Sequence, residues 1–244
     1  MSRAGDSPAA DGDTGDTADA ERVPVALLVV AKAPVAGYAK TRLTPPLTPV
    51  QAARLAAAAL LDTLDAVGAC PVAHRAVAFT GDLAAAESGA EIAAKLAEFE
   101  VIAQRGPGFA VRLANAHADT ARTGLPVLQI GMDTPQVSTR VLTEAARVLA
   151  AGSDALLGRA TDGGWWGLGL PDPRAARLLA EVPMSTARTG DHTRAVLRAN
   201  GYRVAELPAF TDVDHYADAL RVAADCPGRF AAEVAILGAP RAVR

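Results

Sequence analysis

Lysine is nearly missing from this chain, with three residues (Lys32, Lys40 and Lys95) against 21 arginines in 244 positions. Cysteine is equally scarce. Cys70 and Cys226 lie far apart with no metal-ligand spacing, which excludes a disulfide framework and fits reduced thiols of a cytoplasmic protein. The four histidines, His74, His117, His192 and His215, form no HExxH-like cluster, so no zinc site is evident. No apolar run approaches the roughly 20 residues that cross a bilayer, so no transmembrane segment is expected. A signal peptide is excluded by the lack of a basic start and an apolar central region. A basic excess is missing as well. Residues 1–22 carry six acidic and two basic groups and no apolar period, and read as a disordered acidic tail. Without that tail the formal charge of −3 becomes about +1, which argues against a nucleic-acid partner.

What remains, residues 23–244, has the length and composition of one α/β domain, enough to bury roughly 70–75% of its unfolded surface. Its most informative stretch is VALLVVAKAPVAGYAKTRL, residues 25–43. The run 25–31 reads as a strand buried on both faces. Lys32, Pro34, Gly37, Lys40, Thr41 and Arg42 follow in a turn where Pro34 and Gly37 block an immediate helix. Thr48, Pro49 and Gln51 then supply an N-cap, a first-turn proline and a capping box for a helix over 49–67. A strand, a basic glycine-containing loop and a capped helix are a common phosphate cradle. Two of the three lysines fall in this loop, and a lysine is a point charge suited to a diphosphate. It is not a Walker A loop, because Ala39 stands where that motif needs glycine before the lysine.

Further along, strands are predicted over 75–80, 100–104, 126–131, 155–159, 165–170 and 202–207. Helices are predicted over 84–97, 109–123, 138–151 (capped by Ser138), 174–180 and 191–200, the last closed by Gly201. Two more helices follow from about His215. Strands alternating with helices imply a mostly parallel sheet covered on both faces, with ligands held beyond the carboxyl ends of its strands.

Three acidic motifs fall where those loops would gather. Gly131-Met132-Asp133-Thr134-Pro135 puts a carboxylate on a stiffened turn, placed to hold a divalent metal against phosphate oxygens. Asp162-Gly163-Gly164 precedes Trp165 and Trp166, the two tryptophans of the chain. The two glycines permit close approach of a ligand. In a strand the tryptophans face opposite sides, one into the core and the other free to stack on a sugar or base. In Thr211-Asp212-Val213-Asp214-His215 the two carboxylates share a side where repulsion favours a cation, and Asp214 also suits the cap of the next helix.

Taken in order, K-x-P-x-x-G-x-x-KTRL, G-x-D-x-P, DGG-W-W-x-L-G-L and D-V-D-x-x-x-D resemble the DUF2064 group of glycosyltransferase-like proteins. These are members of the GT-A, nucleotide-diphospho-sugar transferase superfamily, and the resemblance spans about residues 24–220. The opening loop and its helix are also similar to 2-phospho-L-lactate guanylyltransferases, and Met132 to Pro135 to the metal turn of molybdenum cofactor guanylyltransferases. The resemblance implies a Rossmann-like GT-A fold in which Lys32, Pro34, Gly37, Lys40, Thr41 and Arg42 surround the nucleotide. It further implies that Asp133 binds Mg²⁺ or Mn²⁺, with Asp214 or Asp212 completing that site. Asp162, Gly163, Gly164, Trp165 and Trp166 are the implied wall of an acceptor or sugar pocket, and in the glycosyl transfer read below Asp162 serves as the base. The second carboxylate of the usual D-x-D is replaced by Pro135, and residues 106–112 replace the more acidic G-x-L-G-x-R.

The reading that follows is a metal-dependent transferase moving sugar from a nucleotide-diphospho-sugar to a small-molecule or glycan acceptor. Nucleotidyl transfer from an NTP to a phosphorylated substrate is the alternative, and a non-catalytic nucleotide-sugar-binding module the third.

Overall fold

The computed structural model describes residues 22–152 and 154–238. The acidic stretch read over residues 1–22 lies, Arg22 apart, outside the described residues. The expected first strand is β1, Val23–Lys32, and its alternation shows why it is apolar throughout. Val25, Leu27, Val29 and Ala31 pack on one side under α1 (Pro49–Gly68) and α4 (Thr139–Ala151). Ala26, Leu28 and Val30 pack on the other, against α3 (Phe109–Thr120), a 3₁₀ segment Pro173–Glu181 and α5 (Thr189–Ala199). A strand with helices on both faces has no side left for water, so no polar alternation survives in its sequence.

Around β1 stand β2 (Val72–Thr80), β3 (Glu100–Ala103), β4 (Val127–Gly131), β5 (Ala155–Ala160), β6 (Trp165–Leu170) and β7 (Val204–Phe210). Their order is β3-β2-β1-β4-β6-β5-β7. Only β6 runs antiparallel to its neighbours; the remaining pairs are parallel. The fold is thus a single α/β domain with a mostly parallel sheet covered on both faces. Because β6 is reversed, its amino end lies beside the carboxyl ends of all the others. A third apolar cluster joins α1 to α6 (Tyr216–Asp225) and α7 (Arg229–Gly238).

The caps read from sequence are present. Thr48 and Gln51 exchange the two bonds of a capping box, and Ser138 accepts from the Val141 N–H. Gly201, at φ +86°, closes α5 as Tyr202 N–H bonds back to Leu197 and Gly201 N–H to Arg198. Several boundaries moved. The helix expected from residue 84 is α2 (Gly89–Leu96) and starts only at Gly89, because Asp82 takes the Ala84 N–H and Pro34 the Glu87 N–H in a preceding turn. The segment expected over 174–180 is 3₁₀ rather than α. The last strand begins at Val204, since Tyr202 is used to end α5, and it runs on to Phe210, which pairs with Ala160. Asp214 does not cap α6; the Asp218 carboxylate accepts the His215 N–H instead.

Candidate active-site cleft

Above the carboxyl ends of β1, β2, β4, β5 and β7 and the amino end of β6 lies a cleft of ≈ 930 Å³. Its place follows from topology: β2 and β4 flank β1, so their connections diverge to opposite sides and leave a crevice between them. Asp133, Asp162, Asp212 and Asp214 line it from the strand-end loops and Asp218 from the first turn of α6, and Lys32, Arg42, Arg112 and Arg221 supply the basic rim.

The loops carrying the acids are tied to one another. Val213 N–H donates to Asp133 C=O at 3.0 Å, and Gln136 Nε2 donates to Thr211 C=O at 2.7 Å. The β4 and β7 loops are therefore joined directly to each other. Between them lies Lys40. Its side chain is only 9% exposed, and its ammonium sits 2.8 Å from Asp133 Oδ2 and 3.2 Å from Asp214 Oδ1. The backbone there is left-handed, at φ 51°, a conformation a non-glycine residue holds only when its surroundings insist on it. Burial pulls the Lys40 pKa down, but the two carboxylates more than reverse this, and it ends above the ordinary lysine value. Asp214 mirrors it. Burial pushes its acid up, yet Lys40 and Arg42, the latter 2.9 Å from Asp214 Oδ2, hold it below the usual range.

Asp212 differs. Burial, reinforced by the charges of Asp133, Asp162 and Asp214 and opposed only by Lys40, pushes its pKa up to about 8. Its Oδ1 is buried with no hydrogen-bond partner. Among the described residues no three His, Cys, Asp or Glu side chains stand ready to hold a metal ion. The donor chemistry fits a hard divalent cation all the same: Asp133 and Asp214 converge on a single cation position, and an orphaned Asp212 oxygen is nearby. That position is filled by the Lys40 ammonium.

The opening loop is less of a cradle than its sequence suggests. Lys32 and Arg42 reach the cleft, whereas Pro34, Gly37 and Thr41 do not line it. Pro34 is buried and accepts from Glu87 N–H, Gly37 forms an exposed turn at φ +76°, and Thr41 lies exposed in a 3₁₀ turn. Lys40 is turned under the carboxylates rather than out toward a ligand.

Asp162 lines the cleft, with Oδ1 accepting the Gly164 N–H at 2.7 Å. Of the two glycines after it, Gly164 lines the cleft, while Gly163 serves the protein's own chain. A Cβ on Gly163, at φ +90°, would lie 1.9 Å from the Ala187 carbonyl oxygen. The close approach expected there is that of the 185–187 loop, not of a ligand. The tryptophans split as expected from strand geometry. Trp166 is buried, bonds Pro208 C=O through Nε1 at 2.9 Å and meets Phe210 edge-on at 5.2 Å. Trp165 is half-buried at the cleft wall, with Nε1 donating to Thr193 Oγ1 at 3.1 Å.

Sequence reasoning left the role of Arg112 in doubt and passed over Arg221, His117 and Gln129. Arg112 and Arg221 join the rim. Under the floor, fully buried His117 on α3 lies with Nε2 3.1 Å from Oε1 of Gln129 on β4, and Gln129 lines the cleft. A lone glutamine inside PVLQIG and a histidine inside an apolar helix face were the available signal, since buried polar groups need partners. Burial lowers the His117 pKa to about 4, with Gln129 opposing. The unfolded histidine takes its proton near pH 6.5, so the protein loses stability as pH falls from there to about 4, by roughly 3 kcal/mol. His117→Phe should lack this loss. Urea midpoints at pH 7 and pH 4.5 should differ less for the variant than for the parent.

No curated protein matches the chain in sequence. Among solved structures, a candidate nucleotide-diphospho-sugar transferase from Desulfovibrio desulfuricans G20 superposes with a TM-score of 0.70 at 24% identity, covering 79% of this chain and 83% of that one. A cytidylyltransferase from Leptospira borgpetersenii gives 0.55 at 13% identity, covering 88% and 94%. Rv0371c from Mycobacterium tuberculosis H37Rv, in complex with manganese, gives 0.50 at 18% identity, covering 82% and 97%. At these identities the likeness is one of fold. The model of an uncharacterized protein family conserved in bacteria, DUF2064, matches residues 63–186, which include Asp133 and the Asp162–Trp166 motif, and the chain belongs to that family.

Proposed function

We propose that the chain is a metal-dependent transferase that moves a sugar from a nucleotide-diphospho-sugar donor to an acceptor hydroxyl. The observation that carries this is the convergence of Asp133 and Asp214 on one cation position at the mouth of a cleft with a basic rim. Asp133, Asp214 and Asp212 would hold Mg²⁺ or Mn²⁺, which supplies charge neutralisation for the departing diphosphate. The manganese complex of Rv0371c, a protein of the same fold, supports the choice of cation.

The protein's own groups divide the remaining work. Lys32, Arg42, Arg112 and Arg221 face the negative charge that grows on the leaving nucleoside diphosphate. Asp162, fixed by its bond from Gly164 N–H, takes the proton of the acceptor hydroxyl. The acceptor oxygen bonds to the anomeric carbon, and the bond from that carbon to the distal phosphate oxygen breaks. Its electron pair leaves with the nucleoside diphosphate. Trp165 offers an aromatic wall for the sugar or acceptor.

Nucleotidyl transfer is kept as a second reading because a cytidylyltransferase shares the fold. The two chemistries break different bonds. With Mn²⁺ and a panel of sugar nucleotides, slow release of UDP or GDP is expected, faster with acceptor, and no pyrophosphate from NTP plus sugar phosphate. Pyrophosphate without nucleoside diphosphate would replace the first reading with the second.

A further inference from the structure

The floor of the cleft holds a polar side chain that the transfer chemistry does not use. Gln129 is 2% exposed, lies on the α3 side of the sheet, and borders the cleft, whose lining also includes Val30, Gln104, Phe109, Arg112 and Trp165. Its Oε1 is engaged by His117, while its Nε2 makes no hydrogen bond among the described residues.

Which way that amide points follows from His117. Deep burial keeps the imidazole neutral, with one N–H to place. Nδ1 is buried without a partner. Protonating Nδ1 would orphan a buried donor, whereas leaving it as a lone pair orphans only an acceptor, the more tolerated fault. The proton therefore belongs on Nε2, which donates to Gln129 Oε1 at 3.1 Å. With its oxygen held from below, Gln129 turns its NH₂ group up into the cleft. The paired residue explains why this nearly fully buried strand position carries an amide at all.

We infer that Gln129 is a specificity-determining residue, and His117 the residue that positions it: the Gln129 amide donates to a neutral oxygen, carbonyl or hydroxyl, on the base or sugar of the bound nucleotide. Phosphate is the poorer match. The cation position, Lys32 and Arg42 lie at the strand-end loops and Arg112 at the rim, while Gln129 sits two residues inside β4 and is 2% exposed. This deepens the donor-binding reading above and rests on it.

The test uses calorimetry with Mn²⁺ and eight probes: UDP, GDP, CDP, ADP and the four matching glucose-bearing nucleotides. Gln129→Met should lower affinity roughly 3- to 10-fold for the preferred ligand, the loss of one neutral hydrogen bond. His117→Phe should weaken the same ligand by a smaller factor. The double variant should bind no worse than Gln129→Met alone, since the histidine acts only through the glutamine. A purely structural role for His117 would instead give losses that multiply. An oxygen on the base shows its loss already with the diphosphates, and one on the sugar only with the glucose-bearing probes. Should Gln129→Met fail to fold, the double variant, whose pair is wholly apolar, is compared with His117→Phe in its place. Equal affinity of parent and Gln129→Met for every probe, or multiplying losses, overturns the assignment alone. A parent that binds none of the eight overturns the donor-binding reading and this assignment with it.

Discussion

Lys40→Met should bind Mn²⁺ in the absence of nucleotide ten- to a hundred-fold more tightly than the parent. In the parent the position where Asp133 and Asp214 converge is held by the Lys40 ammonium at 2.8 and 3.2 Å, so an entering cation must first displace an internal one. Charge-assisted hydrogen bonds contribute about 1.5–3 kcal/mol each, which sets the size of that competition. Methionine keeps much of the side-chain volume and removes the charge. Free Mn²⁺ followed by electron paramagnetic resonance reads the affinity directly. An unchanged or weaker affinity would mean that the carboxylates exist to hold Lys40 and not a metal. The variant should also melt earlier without metal, by about 1–2 kcal/mol. It leaves Asp133 without its ion pair and Asp214 with Arg42 alone, and the value is discounted because Asp133 is 41% exposed. Added Mn²⁺ should restore the loss. Lys95→Met is the control, since Lys95 pairs with Asp65 and Glu98 away from the cleft.

The inward course of Lys40 was beyond the reach of the sequence for a physical reason. A loop lysine between alanine and threonine carries no sign of where its stem points. That direction depends on a left-handed backbone at Lys40 and on Asp214, which arrives 174 residues later in the chain. What was legible is what local chemistry dictates. The apolar run of β1, the Thr48–Gln51 box, the Ser138 cap and Gly201 were readable because each acts within a few residues. The three acidic motifs were placed correctly at strand ends because alternation of strand and helix fixes where loops collect. Roles that depend on which distant segment lies opposite were misread. Gly163 makes room for Ala187 rather than a ligand, and Asp214 faces Lys40 and Arg42 rather than a helix end.

Asp133→Asn and Asp214→Asn should each weaken Mn²⁺-dependent nucleotide binding by about a hundred-fold or more, because each removes one of the two charges that define the cation position. Their effects on the apo protein should part company. Asp133→Asn breaks a single ion pair at a half-open site and relieves repulsion on Asp212, so its melting temperature should move little. Asp214→Asn leaves Arg42 without its ion-pair partner and Lys40 with one carboxylate, a loss of about 1 kcal/mol. A structural salt-bridge cluster would show that loss of stability without any change in metal response. Thermal melts with and without Mn²⁺ therefore separate the cases: a metal site loses the Mn²⁺-induced rise in both variants, whereas an unchanged rise in both removes these carboxylates from any metal-binding role. The pair also constrains the Lys40 argument. If Asp133 and Asp214 hold both cations in turn, Lys40→Met/Asp133→Asn should show none of the tighter Mn²⁺ binding of Lys40→Met, because the vacated position has lost half of its charge.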